Sequence, residues 1–444
     1  MKTQDRNHQI RVESDINIHL ENKKVSMHFF WFIWMLYVIV SMTKNCFSAA
    51  MADIVAQGYM LKSETELITS LFYVVYAPMQ IVGGIACDRF SPEKLLKIGL
   101  IGAGVANTVI FFFNTSYPVM LVTWILNAVA QFAIWPAIFK IVSSQCVRSE
   151  RPKMLFLISM SFHVGVFFSY GVGAVVTDWR MNFSISAVAL FGLAIALHLY
   201  DRHLNKYMKW DKDAPAKATV DSDSCQVKEI STIKLFWSSG FILLLFCVMM
   251  RDSFNSVIKR IAATMLDETF GVGPSIGTLM SMLIAGSTVI GVFVAHAAIS
   301  HGIVRNYVKG TIIGLFACTV LAVLFIFAPN VATNVILMCL MAGITSAITL
   351  FSTFISSYFV KYGKNATAAG VSNCAGACGF AAPLLAVIIE ENSNWTVVKI
   401  FTLAIAVLGV LFTAAALPIY NRWRRREDEE ERLEAEKTAE QANN

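Results

Sequence analysis

Charged side chains are scarce in this chain. Asp, Glu, Lys and Arg make up 15% of its 444 residues, against roughly 25% in a soluble globular protein. With 56% hydrophobic residues, a soluble fold could not hide so much apolar surface, which excludes a soluble enzyme. The nine cysteines lie mostly within apolar runs and form no C-x-x-C pair, so neither a disulfide framework nor a metal ribbon is expected. The apolar runs are continuous rather than alternating, which excludes a transmembrane β-barrel. No G-x-x-x-x-G-K-[ST] stretch occurs, so the chain carries no phosphate-cradling loop for an ATPase of its own. Paired carboxylates, a metal cluster and a nucleophile–base set are missing too. No catalysis and no cofactor are therefore expected.

What is present is apolar length. About 250 hydrophobic residues, at about 20 per transmembrane helix, give about twelve spans. They fall near 27–51, 66–87, 96–114, 119–142, 154–176 and 181–201, and again near 234–263, 274–299, 307–328, 331–357, 366–389 and 396–419. The expected organisation is an N-terminal segment 1–26, a six-helix bundle 27–201, a polar linker 202–233, a second six-helix bundle 234–419 and a tail 420–444. The first 26 residues are polar, and the first apolar run is long enough to span, so no cleavable signal peptide is expected. The tail, with Arg424–Arg426 followed by an acidic run, reads as a solvated amphipathic helix.

The net charge of +6 is spread over short loops, so it points to the bilayer and not to nucleic acid. With both termini cytoplasmic, 29 of the 36 Lys and Arg fall on the inner side. Five lie outside: Lys62, Arg180, Lys259, Arg260 and Lys399. The asymmetry predicts a multi-pass inner-membrane protein with cytoplasmic N- and C-termini.

Two basic residues remain deep inside spans, Lys44 and Arg251. A shift of 207 residues brings their surroundings into register, Ser41–Ser48 on Val248–Asn255. Six spans, a linker and six more, with such an echo, suggest a repeat with a site between the halves. A cation at the bilayer centre costs at least about 2.5–3.5 kcal/mol, so it faces a cavity or a partner. Two of them aimed at one cavity would hold a dianion such as a phosphate ester. The alternative is that each is held by a carboxylate or by helix carbonyls. Asp252 is next to Arg251 on one helix, where neighbours point apart, and no other span shows a clear mid-membrane acid.

Further polar residues could line the same space. Tyr37 and Tyr76 could donate hydroxyls, Gln80 could bond, and His163 could titrate or bind an anion, although packing explains each as well. A second cluster, Gly84 through Asp88-Arg89, sits at the inner end of the second span. Its glycine permits close packing, and its carboxylate can latch the halves in one state. A plain loop turn is the other reading. Gly370, Gly376 and Gly379 in the eleventh span read as close packing.

These residues resemble the major facilitator superfamily, and within it the organophosphate:phosphate antiporters of the glycerol-3-phosphate transporter kind. The family's first-helix pattern R-K-N-F-x-x-A-M is similar to Lys44-Asn45-Cys46-Phe47-Ser48-Ala49-Ala50-Met51. Its G-x-x-x-D-R-x-N-P matches Gly84 to Pro92. Its N-x-x-x-Q, W-P and E-R match Asn127, Gln131, Trp135-Pro136 and Glu150-Arg151. The resemblance implies the major facilitator fold, alternating access, and exchange of a phosphorylated metabolite on Lys44 and Arg251. It implies a small anionic cargo, a monomer and no nucleic-acid partner. Lys44 stands where the family has Arg, Gln80 where it has a basic residue, and Phe162 where it has His, with His163 one place on. A carboxylate cargo with proton coupling, or a membrane sensor of an external sugar phosphate, stays open beside the exchanger.

Overall fold

In a bilayer every backbone N–H and C=O must be satisfied within the protein, which turns each long apolar run into a helix. Twelve helical segments are long and apolar enough to cross a membrane. The structure, a computed structural model, describes residues 18–19, 23–114, 116–146, 151–204, 209–210, 231–304, 306–357, 359, 362 and 365–443. Most of the expected linker 202–233 lies outside them, as do Arg148 and Glu150 and the side chains of Asp88 and Arg89.

The first span is α1 (Lys23–Lys44) and α2 (Cys46–Ala56), followed by α3 (Lys62–Arg89) and α4 (Pro92–Phe112). The fourth is α5 (Tyr117–Ala130) with α6 (Ile134–Gln145), then come α7 (Arg151–Val175) and α8 (Arg180–Leu204). A short α9 (Thr232–Ser238) leads into α10 (Phe241–Phe270), α11 (Pro274–Ser300), α12 (Tyr307–Ile326) and α13 (Val331–Ser357). The eleventh span is α14 (Asn365–Gly379) with α15 (Ala382–Asn392), and the last is α16 (Trp395–Asn443). The tail is thus a direct continuation of the twelfth span. A two-residue antiparallel pair, β1 (Ile18–His19) on β2 (Lys209–Trp210), has no counterpart in the sequence pattern.

Two six-helix bundles result, each with its own apolar core. One is built around Phe30, Leu36, Leu100 and Ile138, the other around Phe254, Ile258, Met341 and Ala386. Large apolar side chains such as Ile98, Val188, Ile313 and Phe316 stay exposed, which suits a surface that meets lipid rather than water. The halves meet where α3 packs on α14 and α15, where α7 runs along α11, and where α2 touches α10 and α11.

Close crossings fall on glycines, and two corrections follow. A Cβ at Gly83 would stand 2.0 Å from the Phe132 carbonyl oxygen, whereas one at Gly84 would meet nothing within 4 Å. The tight contact of α3 with the fourth span therefore belongs to Gly83, because adjacent helical residues face directions about 100° apart. Its counterpart in the second half is Gly291, where a Cβ would stand 2.0 Å from the Gly343 carbonyl oxygen. Gly376 and Gly379 do let α14 press on α10, but Gly370 has open space beside it.

Three spans break near mid-membrane. Pro136 and Pro383 lack the N–H that would bond four residues back, which frees the carbonyls of Phe132 and Gly379. Gln80 Nε2 donates to Phe132 O at 3.2 Å, and Ser256 Oγ donates to Gly379 O at 3.2 Å. The first span breaks at Asn45, whose Nδ2 donates back to Ser41 O at 2.8 Å.

Candidate functional site

The break at Asn45 leaves Lys44 as the last residue of α1. Its side chain is 5% exposed, and its Nζ lies 3.9 Å from the centre of the Tyr76 ring. Among the described residues no carboxylate pairs with it. A desolvated cation–π contact is worth about 2 kcal/mol. Burying an ammonium costs several kcal/mol even after relaxation, so the ring offsets only part of the burial.

Arg251, at the matching place in the second half, is held differently. Its Nε donates to Asp252 Oδ1 at 2.9 Å and its Nη2 to Asp252 Oδ2 at 2.8 Å. This corrects the expectation that Asp252 cannot serve its neighbour. Arginine is long enough to fold back across the helix surface, and its planar fork matches a carboxylate. Space for that carboxylate exists because residue 376 is glycine: a Cβ there would stand 2.2 Å from Asp252 Oδ2.

Two cations that Lys and Arg counting assigns to the outer side, Lys259 and Arg260, are instead buried within α10, at 8% and 6% exposure. At 30 residues, α10 is about 45 Å long, so it carries these residues inward while still spanning. Arg260 makes an ion pair with Glu66 of α3, which is fully buried. It also donates to Thr69 Oγ1 and, at 2.7 Å, to Phe380 O in the gap between α14 and α15. Glu66, at the edge of the second apolar run and therefore not read as a mid-membrane acid, is thus a buried one. Farther out, Lys62 pairs with Glu268 at 2.8 Å and with Glu390, and Ser63 N donates to Glu391 Oε1 at 3.0 Å. The N-terminal end of α3 is thereby tied to the second half.

Lys259 and Arg260 line a small cavity between the halves, together with Asn45, Tyr73, Tyr170 and Ser256 and an apolar wall of Phe162, Val166 and Phe380. About 20 Å³ is open to water centres, room for one or two waters and not for a sugar phosphate. Tyr73 Oη donates to Asn45 Oδ1 at 3.2 Å, and Tyr170 Oη donates to the Lys259 carbonyl at 3.1 Å.

The six side chains expected to bind cargo lie outside the lining of this cavity. Lys44 and Tyr76 meet each other. Tyr37 packs on Trp135, ring centres 4.9 Å apart, in the core of the first half. Gln80 serves the Phe132 carbonyl. His163 crosses to the second half, its Nδ1 3.1 Å from Thr288 Oγ1, and the charges of Lys259 and Arg251 both act on its ring. Among the described residues, no hydrogen bond or ion pair joins Lys44 to Arg251. Beside Asp88 and Arg89, Lys140 Nζ donates to Cys87 O at 2.6 Å and caps the end of α3. Lys259, Arg260 and Glu66 are the residues that span counting misses. The signal for the first two was helical spacing, since Asp252, Ser256, Lys259 and Arg260 share one face of α10.

Comparison with known proteins adds the following. A family model described as the Major Facilitator Superfamily matches residues 33–382. The membrane sensor protein UhpC of Escherichia coli (strain K12) is 28% identical over 255 residues, 55% of this chain and 58% of that protein. A probable hexose phosphate transport protein of Chlamydia trachomatis serovar D is 27% identical over 157 residues, 35% of this chain and 34% of that one. The matches therefore span about half the length of these relatives or less. A solved bacterial homolog of the human lysosomal transporter Spinster, inward-facing and unoccupied, superposes with a TM-score of 0.70. It covers 90% of this chain and 98% of its own at 14% identity.

Proposed function

The chain belongs to the Major Facilitator Superfamily, and on that premise we propose that it is a secondary transporter of a small organic anion. The cargo is a phosphorylated metabolite, exchanged for phosphate by alternating access. The halves 27–201 and 234–419 rock about the central cations, and the chain works as a monomer in the inner membrane with cytoplasmic termini. It does no chemistry on its cargo. Asp88 and Arg89 form the inner latch, and Lys62 with Glu268 and Glu390 the outer one.

The observation that carries this reading is Lys44. A buried ammonium with an aromatic ring and no described counter-ion is under-compensated, and an arriving anion completes it. On this reading Arg251, His163, Tyr76, Tyr37 and Gln80 are the further cargo contacts, and engaging them takes a rearrangement from the state described, in which Tyr37 packs on Trp135 and Gln80 serves the Phe132 carbonyl. An empty site with excess positive charge resists reorientation, which favours exchange over net efflux. The name of the hexose phosphate relative agrees with this chemical class.

The test is counterflow in proteoliposomes loaded with phosphate. Uptake of labelled phosphate that glucose 6-phosphate inhibits, and that Lys44→Ala abolishes, is the expected result. Uptake indifferent to Lys44→Ala sinks the anion site. The likeness to the membrane sensor protein UhpC favours one second reading, a sensor of the same fold. Saturable binding of glucose 6-phosphate with no counterflow is its signature, whereas a carboxylate symporter would respond to carboxylates and a pH gradient.

A further inference from the structure

Four cations are buried near the centre: Lys44, Arg251, Lys259 and Arg260. Two carboxylates are buried with them or half-buried beside them. Arg251 occupies both oxygens of Asp252, and Arg260 holds Glu66. Each pair is neutral as a unit. Two ammoniums remain, Lys44 in the first half and Lys259 in the second, and neither has an ion pair among the described residues. Asp252 acts on Lys259 through its charge, with no ion pair between them among the described residues.

Lys259 is the cavity's own cation. Its side chain is more than nine-tenths buried yet lines the enclosed space, and its backbone is pinned by the Tyr170 hydroxyl. Around the same space stand the hydroxyls of Ser256 and Tyr73 and the amide of Asn45, whose donors here serve the Gly379 carbonyl, Asn45 Oδ1 and the Ser41 carbonyl and must turn to meet an anion, so Lys259 carries the charge recognition. An ammonium is a compact charge with three rotatable donors, free to follow an anion. A guanidinium locked in a bidentate pair is not.

We infer that Lys259 is the second anion ligand of the transport site and that the Lys44–Lys259 pair sets the cargo's charge at two. This rests on the anion-transport reading above and assigns its charge selectivity. A phosphate monoester carries about −1.5 to −2 at pH 7 and neutralises both ammoniums. A monocarboxylate of the same size leaves one of them buried without a partner, so it is rejected. Arg251 then serves as a positioning residue, orienting Asp252 and closing the wall of α10.

The test uses the full chain in proteoliposomes with labelled-phosphate counterflow, competed by glucose 6-phosphate as dianion and by gluconate as a six-carbon monoanion. Wild type, Lys259→Gln, Lys259→Arg and Lys44→Gln are compared, with ligand-free melting temperature as the folding control. The expected result is that Lys259→Gln weakens glucose 6-phosphate about tenfold or more, in line with loss of one charge-assisted bond, and weakens gluconate far less. Lys259→Arg should keep the wild-type order. Equal weakening of both competitors, or a wild-type ratio in Lys259→Gln, overturns the assignment while leaving a Lys44-dependent anion site intact. Preference of the wild type for gluconate also overturns it. Phosphate counterflow untouched by both Gln variants removes the anion-transport reading itself. A Lys259→Gln chain that melts early, with Lys259→Arg equally inactive, marks Lys259 as structural and overturns the inference as well.

Discussion

The first span breaks at Asn45 and leaves Lys44 on an aromatic ring, while the seventh runs unbroken through Arg251 and folds that residue onto the next carboxylate. The two sites correspond in the repeat, yet one half keeps its charge open and the other closes it internally. Backbone geometry separates them. At the break the amide of Asn45 bonds back to Ser41 O and accepts from Tyr73, and the residue beside Lys44 is that neutral amide where Arg251 has a carboxylate. In the second half Gly376 makes a pocket for a carboxylate, and Asp252 fills it. A pseudo-symmetric fold can thus present an asymmetric binding surface, with the mobile charges on Lys44 and Lys259 and the fixed ones locked in pairs.

The sharpest way to break that comparison is to delete each cation in turn. Arg251→Ala leaves the Asp252 carboxylate half-buried without its partner, a change that costs about 3–5 kcal/mol at fully buried pairs. The melting temperature in detergent should fall accordingly, and Asp252→Asn added to Arg251→Ala should restore most of it. Lys44→Met removes a charge with no described counter-ion, so its melting temperature should hold or rise while counterflow disappears. Equal destabilisation by Arg251→Ala and Lys44→Met would mean that the halves treat their cations alike.

Smaller effects are expected at the glycines, where the halves agree. Gly83→Ala and Gly291→Ala each drive a methyl into a backbone carbonyl, which should cost about 1–3 kcal/mol of overpacking strain. Gly84→Ala meets open space and should stay within about 0.5 kcal/mol of wild type, the range of an uncrowded substitution. Thermal unfolding of the three variants side by side reads this. A destabilising Gly84→Ala with a silent Gly83→Ala would reverse the assignment of the contact.

Much of this architecture was legible in the residues. The twelve spans follow from apolar run length, because helix formation in lipid depends on little else. The match of Lys44 with Arg251 followed from a shift of 207 residues. Partnerships were harder to read. Glu66 stands at the edge of its apolar run, and its partner Arg260 is 194 residues away on the other half. Lys259 and Arg260 stand at the outer end of a span that stops near 263 and count as outer residues there, whereas α10 starts later and runs on to Phe270, which sets them well inside the helix. The grip of Asp252 on Arg251 depends on a side-chain conformation and on a glycine in a different span. Run length and charge counting carry neither.

The smallest effect is expected where charge crosses between the halves at their outer rim. Here the first half supplies one cation, Lys62, and the second supplies Glu268 and Glu390. Lys62 is 17% exposed and Glu268 33%, so salt screens these pairs and each is worth about 0–1 kcal/mol. Lys62→Ala should therefore leave the melting temperature nearly unchanged. A latch acts on an equilibrium, however, and 1.4 kcal/mol is a tenfold change in a two-state ratio. Loss of even a fraction of that lets the outer side open more often. Cross-linking of paired cysteines placed at Ser63 and Glu391, where the Ser63 N–H donates to the Glu391 carboxylate, should fall a few-fold in Lys62→Ala, and raised salt should reproduce the fall in the Lys62-containing chain. Glu66→Gln, deep in the same seam and unscreened, should lower cross-linking further and without salt dependence. If the rim and the buried pair responded to salt alike, the ion pairs of the seam would be one solvent-screened surface instead of a screened rim over a buried, Arg260-centred core.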